Sequence, residues 1–404
     1  MKKKLLFVIN TLGCGGAERA MLNLFDALDP KKYEISLFVL TGQGELSHAL
    51  PKHVRLLNRD YKDVSVLTKE GRKLLIRSVL RAGSKKGLFL RRASYLLKNF
   101  RDMRRRGKIL PDKLCWRVLS DGAPLIRREY DLAVAYLEGG ATYYIAEHVK
   151  ARKKAAFVHI DYGKAGYTRK LDRDCYQKFD RIFTVSDEVR AHFLEVYPEH
   201  EKKVLVFHNL INQERIRQMA EQGSGFDDEF QGYRILTVGR LTQQKRYDIA
   251  IQAMALLKVK EKCSVPVRWY VLGEGELRES LRQQIKDAGV EQEFIFLGVK
   301  ENPFPYYKNC DLYVHATGFE GKSIAIQEAQ TLGKPILATD CSGNREQIVH
   351  DVDGRMCPLD PKCVSEEIFW MIAHPEKCKA YGEQAKKKTL NSTTGFEAFQ
   401  ALIG

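Results

Sequence analysis

The chain has 404 residues, enough for two domains that each bury their own core. Its 67 Lys and Arg against 51 Asp and Glu give a net charge of +16, which excludes an acidic disordered chain and favours anionic partners. Nine cysteines contain no Cys-x-x-Cys pair or other metal-ligand spacing, so a zinc module is not expected and a reducing cytosol fits.

Residues 5–10 read as a buried strand, followed by a tight loop, Gly13-Cys14-Gly15-Gly16-Ala17-Glu18-Arg19, that opens a helix. Ala17, Ala20, Met21, Leu24, Phe25 and Leu28 recur at steps of three and four on one face of that helix. A glycine turn into a helix N-terminus suits a phosphate, although the spacing is not the dinucleotide fingerprint. From Lys69 to Lys108 there are 15 Lys and Arg against two acids, interleaved with large apolar residues. Such a run predicts either an interfacial amphipathic region or a solvated helical insertion. Nucleic acid is not expected, because the run carries no reading motif. A strand over 131–136 leads to Glu138 and a Gly-Gly turn, and a strand over 155–158 leads to His159 and Asp161. Glu138 and Asp161 are candidate acceptor contacts at those strand ends. A histidine in such a place is more often a structural group than a catalyst.

A polar stretch, 212–232, interrupts the pattern and is the expected domain boundary. Beyond it, Val238-Gly239-Arg240-Leu241 and Lys245 follow a strand, which offers a guanidinium and an ammonium for a diphosphate. Gly273-Glu274-Gly275-Glu276-Leu277 ends the next strand, and 294–298 forms another that ends in Gly298. The run 311–315 predicts a strand, then a loop Gly318-Phe319-Glu320-Gly321-Lys322-Ser323, then a helix containing Ile324 and Glu328. With Glu320 in the loop and Glu328 about two turns in, both acids lie near the helix start. The amides of Gly321, Lys322 and Ser323 would then face the same opening, where a phosphate is favoured. The plainer reading makes both acids ordinary helix residues, worth a few tenths to about 1 kcal/mol.

The glutamate, seven residues, glutamate pattern, followed by Ala329 and by Gly333-Lys334-Pro335-Ile336, resembles the signature of family 4 retaining glycosyltransferases, also called group 1. The other segments named above agree with it over nearly the whole chain. The resemblance implies an α/β fold of two Rossmann-like domains facing across a cleft, the GT-B fold. It further implies that Glu320, with Gly321, Lys322, Ser323 and Ile324, contacts the donor sugar and that Glu328 binds the ribose. Arg240 and Lys245 would grip the diphosphate, Gly273, Glu274 and Gly298 would border the nucleotide, and Gly15 and Gly16 would face the donor phosphates. His159 resembles the family's histidine opposite the donor sugar, so the implied catalytic set is Glu320, His159, Arg240 and Lys245. The chain departs from the pattern at Arg246, where a glycine usually follows the lysine.

The expected organisation is residues 1–212 as an acceptor domain with a basic helical insertion over about 68–128, residues 213–390 as the donor domain, and a final helix in 391–404 returning to the first. The implied activity is metal-independent, retaining hexosyl transfer without a cofactor, from a nucleotide sugar (a UDP-sugar first) to a lipid-linked or polysaccharide-precursor acceptor. No apolar run approaches the roughly 20 residues of a membrane span, and the Met-Lys-Lys-Lys start has no cleavage site. A cytoplasmic protein lying on the anionic inner face of the cell membrane is therefore expected. The alternatives are a non-catalytic basic protein that binds lipid or nucleic acid, and a sugar-nucleotide epimerase on the same fold.

Overall fold

A computed structural model describes residues 2–84, 87–107, 109–259, 265–388, 390 and 393–404. Met1, Lys85, Lys86 and Lys108 of the charged segments, and residues 391–392 at the expected start of the final segment, lie outside the described residues. The chain divides into two compact units, Met1–Leu210 with Asn391–Gly404, and Ile211–Leu390.

The first unit is built on seven parallel strands: β1 (Lys3–Ile9), β2 (Tyr33–Val39), β3 (Val54–Leu56), β4 (Tyr130–Ala135), β5 (Ala151–Val158), β6 (Arg181–Thr184) and β7 (Val204–Val206). Their order is β3-β2-β1-β4-β5-β6-β7, so the direction of winding reverses beside β1. Leu5, Leu6, Phe7, Val8 and Ile9 are all fully buried, as a parallel strand covered on both faces requires. The helix Thr393–Ile403 belongs to this unit and places buried Phe399 among Phe7, Phe157, Phe183 and Phe207, with ring centroids 5.8–6.3 Å away.

Three helices, Lys69–Ser84, Leu88–Arg105 and Pro111–Gly122, lie between β3 and β4. The third packs on the helix Gly140–His148 and carries Arg117, whose side chain is wholly buried. That guanidinium pairs with Glu147 at 2.6 Å, donates to the Asp172 carbonyl at 3.0 Å and lies 3.9 Å from the centre of the Tyr143 ring. The buried Asp172 carboxylate accepts from Tyr143 and Tyr197, each at 2.8 Å, and from Tyr162. The basic insertion is thus fastened to the domain through one buried polar centre.

The second unit has six parallel strands, β8 (Tyr233–Val238), β9 (Val267–Leu272), β10 (Phe294–Gly298), β11 (Leu312–His315), β12 (Ile336–Thr339) and β13 (Arg355–Cys357), in the order β10-β9-β8-β11-β12-β13. That is the doubly wound order, reversing between β8 and β11. The polar stretch 212–232 is no free connector. Asn212 caps the helix Gln213–Ala220, and Phe226 packs 4.6 Å from Tyr270 and 5.2 Å from Tyr306. Asp228 takes bonds from Arg234 and Arg268, and the chain passes between the units at Leu210 and Ile211. The polar composition hid these anchors because each is a single aromatic or acid among turn residues.

Burial raises the Asp172 carboxyl to about 6, although the tyrosine hydroxyls and Arg117 favour its charged form. Its folded-state value lies above the unfolded one, so its stabilisation is complete below about pH 4 and is lost as pH rises through 6. The stability advantage of the wild type over Asp172→Asn should therefore shrink by up to about 3 kcal/mol between pH 4 and pH 7.5, measured by denaturant unfolding at each pH.

Candidate active site

In the second sheet the reversal of strand order leaves a crevice outside the ends of β8 and β11, where ligands of doubly wound folds bind. Three neighbouring loops brace one wall. Gly239 N–H donates to the Leu272 carbonyl at 2.9 Å, Leu241 N–H to the Glu274 carbonyl at 3.0 Å, and Gly273 N–H to the Gly298 carbonyl at 2.9 Å. A Cβ at Gly273 would run into the Gly239 carbonyl oxygen, so only glycine allows this approach. Arg240 is exposed at the end of β8, and Lys245 closes the short turn Gln243–Lys245.

Arg246 then takes the left-handed conformation, φ 40° and ψ 44°, directly before the helix Tyr247–Lys258. This is the position where the family pattern has glycine. The loop keeps the glycine-type shape, and Arg246 is held in it by a two-pronged pairing with Asp248 at 3.0 and 2.9 Å.

Glu320 lies in the loop after β11 and is in direct contact with the Lys245 ammonium. Its carboxylate is also 3.2 Å from Nε2 of His315, the last residue of β11, whose Nδ1 is 3.0 Å from the Tyr313 hydroxyl. Burial opposes ionisation of Glu320, but the Lys245 charge and the His315 hydrogen bond outweigh it and hold the carboxyl at about 2. Burial and the nearby Lys245 push His315 down, so its imidazole is neutral. Nε2 also lies 3.4 Å from the Lys245 ammonium, and the tautomer that gives the Glu320 carboxylate a donor carries its proton on Nε2 and accepts from Tyr313 at Nδ1. Sequence reasoning missed His315 and read it only as the end of a strand. The signal was its position, two residues after Tyr313 on one face of the strand and five before Glu320.

The helix begins at Ile324, later than expected, so Glu328 is little more than one turn in. Its buried carboxylate accepts from the Tyr307 hydroxyl at 2.9 Å. The two glutamates therefore diverge, Glu320 toward Lys245 and Glu328 toward Tyr307. The Ser323 amide is not aimed at an opening: it donates to Gln347 Oε1 at 2.7 Å, and the Gln347 amide returns a bond to the Ser323 carbonyl at 2.9 Å. Gly321 is buried and Lys322 half-buried in the same loop. Glu274 pairs with Arg278, and a Cβ on Gly298 would lie 3.5 Å from Glu274 Oε1, so these residues share one wall.

In the first unit the corresponding reversal lies between β1 and β4. Asn10 spans it, donating to the Glu138 carbonyl at 3.0 Å and accepting from Ala141 N–H at 2.7 Å. The Glu138 carboxylate accepts from the His159 amide at 3.1 Å, and burial raises its pKa. His159 stacks near Tyr136 and Phe157, and burial lowers it to about 3, so this imidazole is neutral and its buried Nε2 has no hydrogen-bond partner among the described residues. Asp161 is engaged by Lys164 Nζ and by His192 Nδ1, each at 3.0 Å. Gly15 caps the helix Gly16–Ala27, and the Glu18 carboxylate folds back over it, so the chain's own acid lies at that helix N-terminus.

Other paired acids are occupied. Asp351 meets Arg355 and Tyr381, and Asp353 meets Lys388. Asp121, Glu147 and His148 lie together, but Arg92 and Arg117 neutralise the two acids.

Two parallel α/β domains of this winding define the GT-B class of glycosyltransferase folds. The structure superposes on Anabaena HepE in complex with UDP-glucose with a TM-score of 0.68 and 17% identity, covering 99% of each chain. Residues 228–388 match the family model for glycosyl transferases group 1. Over 215 residues the chain is 30% identical to a Campylobacter jejuni N-acetylgalactosamine-N,N'-diacetylbacillosaminyl-diphospho-undecaprenol 4-alpha-N-acetylgalactosaminyltransferase, covering 53% of this chain and 56% of that protein. Over 136 residues it is 32% identical to the amylovoran biosynthesis glycosyltransferase AmsK of Erwinia amylovora, covering 32% of this chain and 33% of that one. The matched segments span about half or less of these relatives. The match to the group 1 glycosyl transferase model thus lies wholly within the second unit.

The left-handed turn yields a stability test. Arg246→Gly should leave the unfolding midpoint unchanged or raised, because relief of the left-handed backbone offsets the lost pairing. Arg246→Val, whose branched Cβ resists that conformation, should lower stability by about 1–2 kcal/mol in thermal or urea unfolding.

Proposed function

We propose that this protein is a retaining glycosyltransferase that moves a sugar from a nucleotide donor, a UDP-sugar first, to a lipid-linked or polysaccharide-precursor acceptor. The observation that carries the reading is the cluster at the β8–β11 reversal, where Lys245, Glu320 and neutral His315 meet, with exposed Arg240 earlier in the loop that carries Lys245. A diphosphate needs cations and a sugar needs a hydroxyl acceptor, and both are present within one crevice. Arg240 and Lys245 hold the diphosphate, Glu320 takes a sugar hydroxyl, and Glu328 takes the ribose. Gly321, Lys322 and Ile324 shape the sugar pocket through their backbone and stem atoms, Ser323 fixes that loop through its pairing with Gln347, and Gly273, Glu274 and Gly298 border the nucleotide. In the first unit, His159 offers the buried Nε2 to a sugar hydroxyl, Gly15 and Gly16 face the donor phosphates, and Glu138 and Asp161 border the acceptor.

The reaction is a front-face displacement needing neither a metal nor a cofactor. The bond from the anomeric carbon to the diphosphate oxygen breaks, the acceptor oxygen bonds to that carbon from the same face, and the acceptor proton passes to the departing phosphate. Positioning and charge stabilisation are the protein's part. Replacing Arg240 or Lys245 with Ala should each lower kcat/KM at least about tenfold, or about 1.4 kcal/mol, and wild-type rates in both would remove the diphosphate assignment.

The lipid-linked acceptor is supported by the activity that the Campylobacter relative's name states and by the insertion's surface. Ile76 and Leu80, one turn apart, are 59% and 56% exposed, and Leu90 and Leu97, two turns apart, are 85% and 55% exposed. Lys73, Arg77, Arg91, Lys98 and Arg101 stand exposed around them. That pattern suits the surface of an anionic bilayer at the inner face of the cell membrane, where each cation contributes about 1 kcal/mol. Among the described residues no helix is long and apolar enough to cross a membrane. The protein should sediment with anionic vesicles but not with neutral ones, and the double variant Ile76→Glu, Leu80→Glu should weaken this at least about tenfold. Binding unchanged in that variant would place the contact elsewhere.

The deciding experiment incubates purified protein with a panel of nucleotide sugars, a chelator and total lipid extract. Release of a single nucleotide only when lipid is present supports the reading and identifies the donor. Sugar isomerisation without an acceptor would favour an epimerase. No release and no thermal shift with any nucleotide would favour a binding protein.

A further inference from the structure

The two acids of the second unit diverge, yet one row of buried side chains lies between them. Lys245 contacts Glu320, Glu320 accepts from His315 Nε2 at 3.2 Å, and His315 Nδ1 accepts from the Tyr313 hydroxyl at 3.0 Å. The Tyr307 ring centre is 5.2 Å from that of Tyr313, and the Tyr307 hydroxyl donates to Glu328 at 2.9 Å. His315 is 1% exposed and Tyr307 and Tyr313 are fully buried, so this line lies inside the domain beneath the crevice.

We propose that His315 is a positioning residue for transfer, holding the Glu320 carboxylate toward the donor sugar when the donor diphosphate draws Lys245 away. The proposal rests on the donor reading given above. In the structure Glu320 has two polar neighbours, one of which, Lys245, is also the ammonium needed by the diphosphate. A diphosphate arriving at Lys245 competes with Glu320 for that ammonium. The neutral imidazole does not compete for the anion, and its Nε2–H continues to fix one carboxylate oxygen while the other is offered to a sugar hydroxyl. Tyr313 secures the arrangement by donating to Nδ1, which forces the proton onto Nε2. Apolar residues at position 315 would fill the space and leave Glu320 unfixed.

The test compares His315→Leu, His315→Gln and Tyr313→Phe, each assayed for transfer and for binding of the nucleoside diphosphate alone. His315→Leu is expected to lose at least about tenfold in kcat, with donor KM within about threefold and diphosphate affinity within about twofold of wild type. The side-chain amide of His315→Gln can donate to Glu320 and should recover most of that loss. Tyr313→Phe, which keeps the ring and removes only the hydroxyl, should lose kcat by about threefold or more. Wild-type kcat in His315→Leu overturns the assignment, and so does a loss that glutamine does not recover while diphosphate binding persists. Should His315→Leu fail to fold, seen as no thermal shift with the diphosphate, wild-type kcat in Tyr313→Phe overturns it. A wild-type protein that binds no nucleotide sugar would instead sink the donor reading itself, a result visible before any variant is made.

Discussion

A parallel sheet wound in both directions from its first strand must open at the carboxyl end of that strand, because the loops on either side depart toward opposite faces. This constraint places the chemistry of the second unit. Arg240 and Lys245 follow β8, His315 ends β11 and Glu320 follows it, and these are the two strands that border the reversal. The first unit repeats the constraint at β1 and β4, where Asn10 joins the two loops and Glu138 meets His159 one strand further on. The remaining parts serve to hold these loops still, from the Gly239 amide bonded to the Leu272 carbonyl to the Ser323–Gln347 pairing.

At the two reversals, each within its own unit, burial and charge act against each other with different outcomes. Glu320 stays ionised because Lys245 and His315 more than compensate for its desolvation. Glu138, whose partners are backbone amides, is shifted the other way. Both histidines are neutral for the same reason, burial, so each presents one donor and one acceptor and adds no positive charge at its own strand end. A crevice for a sugar diphosphate needs positive charge where the phosphates rest and neutral directional groups where the hydroxyls rest. In the reading proposed above, Arg240 and Lys245 provide the first, and neutral His315 serves the second through the carboxylate it holds.

Much of this was legible in the sequence because each signal was local. Apolar runs 5–10 and 311–315 marked strands, and the residues that follow them marked the strand ends where function collects. Long-range pairing was not legible. Nothing in the spacing of Ser323 indicates that Gln347, 24 residues on, would take its amide, or that Asp161 would be engaged by Lys164 and His192. His315 was hidden for a related reason, since its importance comes from Tyr313 and Glu320 lying on either side of it in space. The anchoring of 212–232 depended on Phe226 finding Tyr270 and Tyr306, contacts that composition averages away.

Arg246 shows how a departure from a family pattern can leave geometry unchanged. Glycine would take φ 40°, ψ 44° with little cost, whereas an arginine in that region bears a penalty of about 1–2 kcal/mol. The pairing with Asp248 two residues later offsets part of that cost, and it also keeps the guanidinium in a defined place beside the turn that carries Lys245. The loop after β11 packs against the same turn, with Gly318 N–H donating to the Gln244 carbonyl at 2.9 Å and the Gln244 amide to the Phe319 carbonyl at 2.8 Å. The turn and the Glu320 loop are thus one braced piece. A residue that fixes the first also fixes the distance between Lys245 and Glu320, so the strain held at Arg246 is set against the precision of the ion pair at the centre of the site.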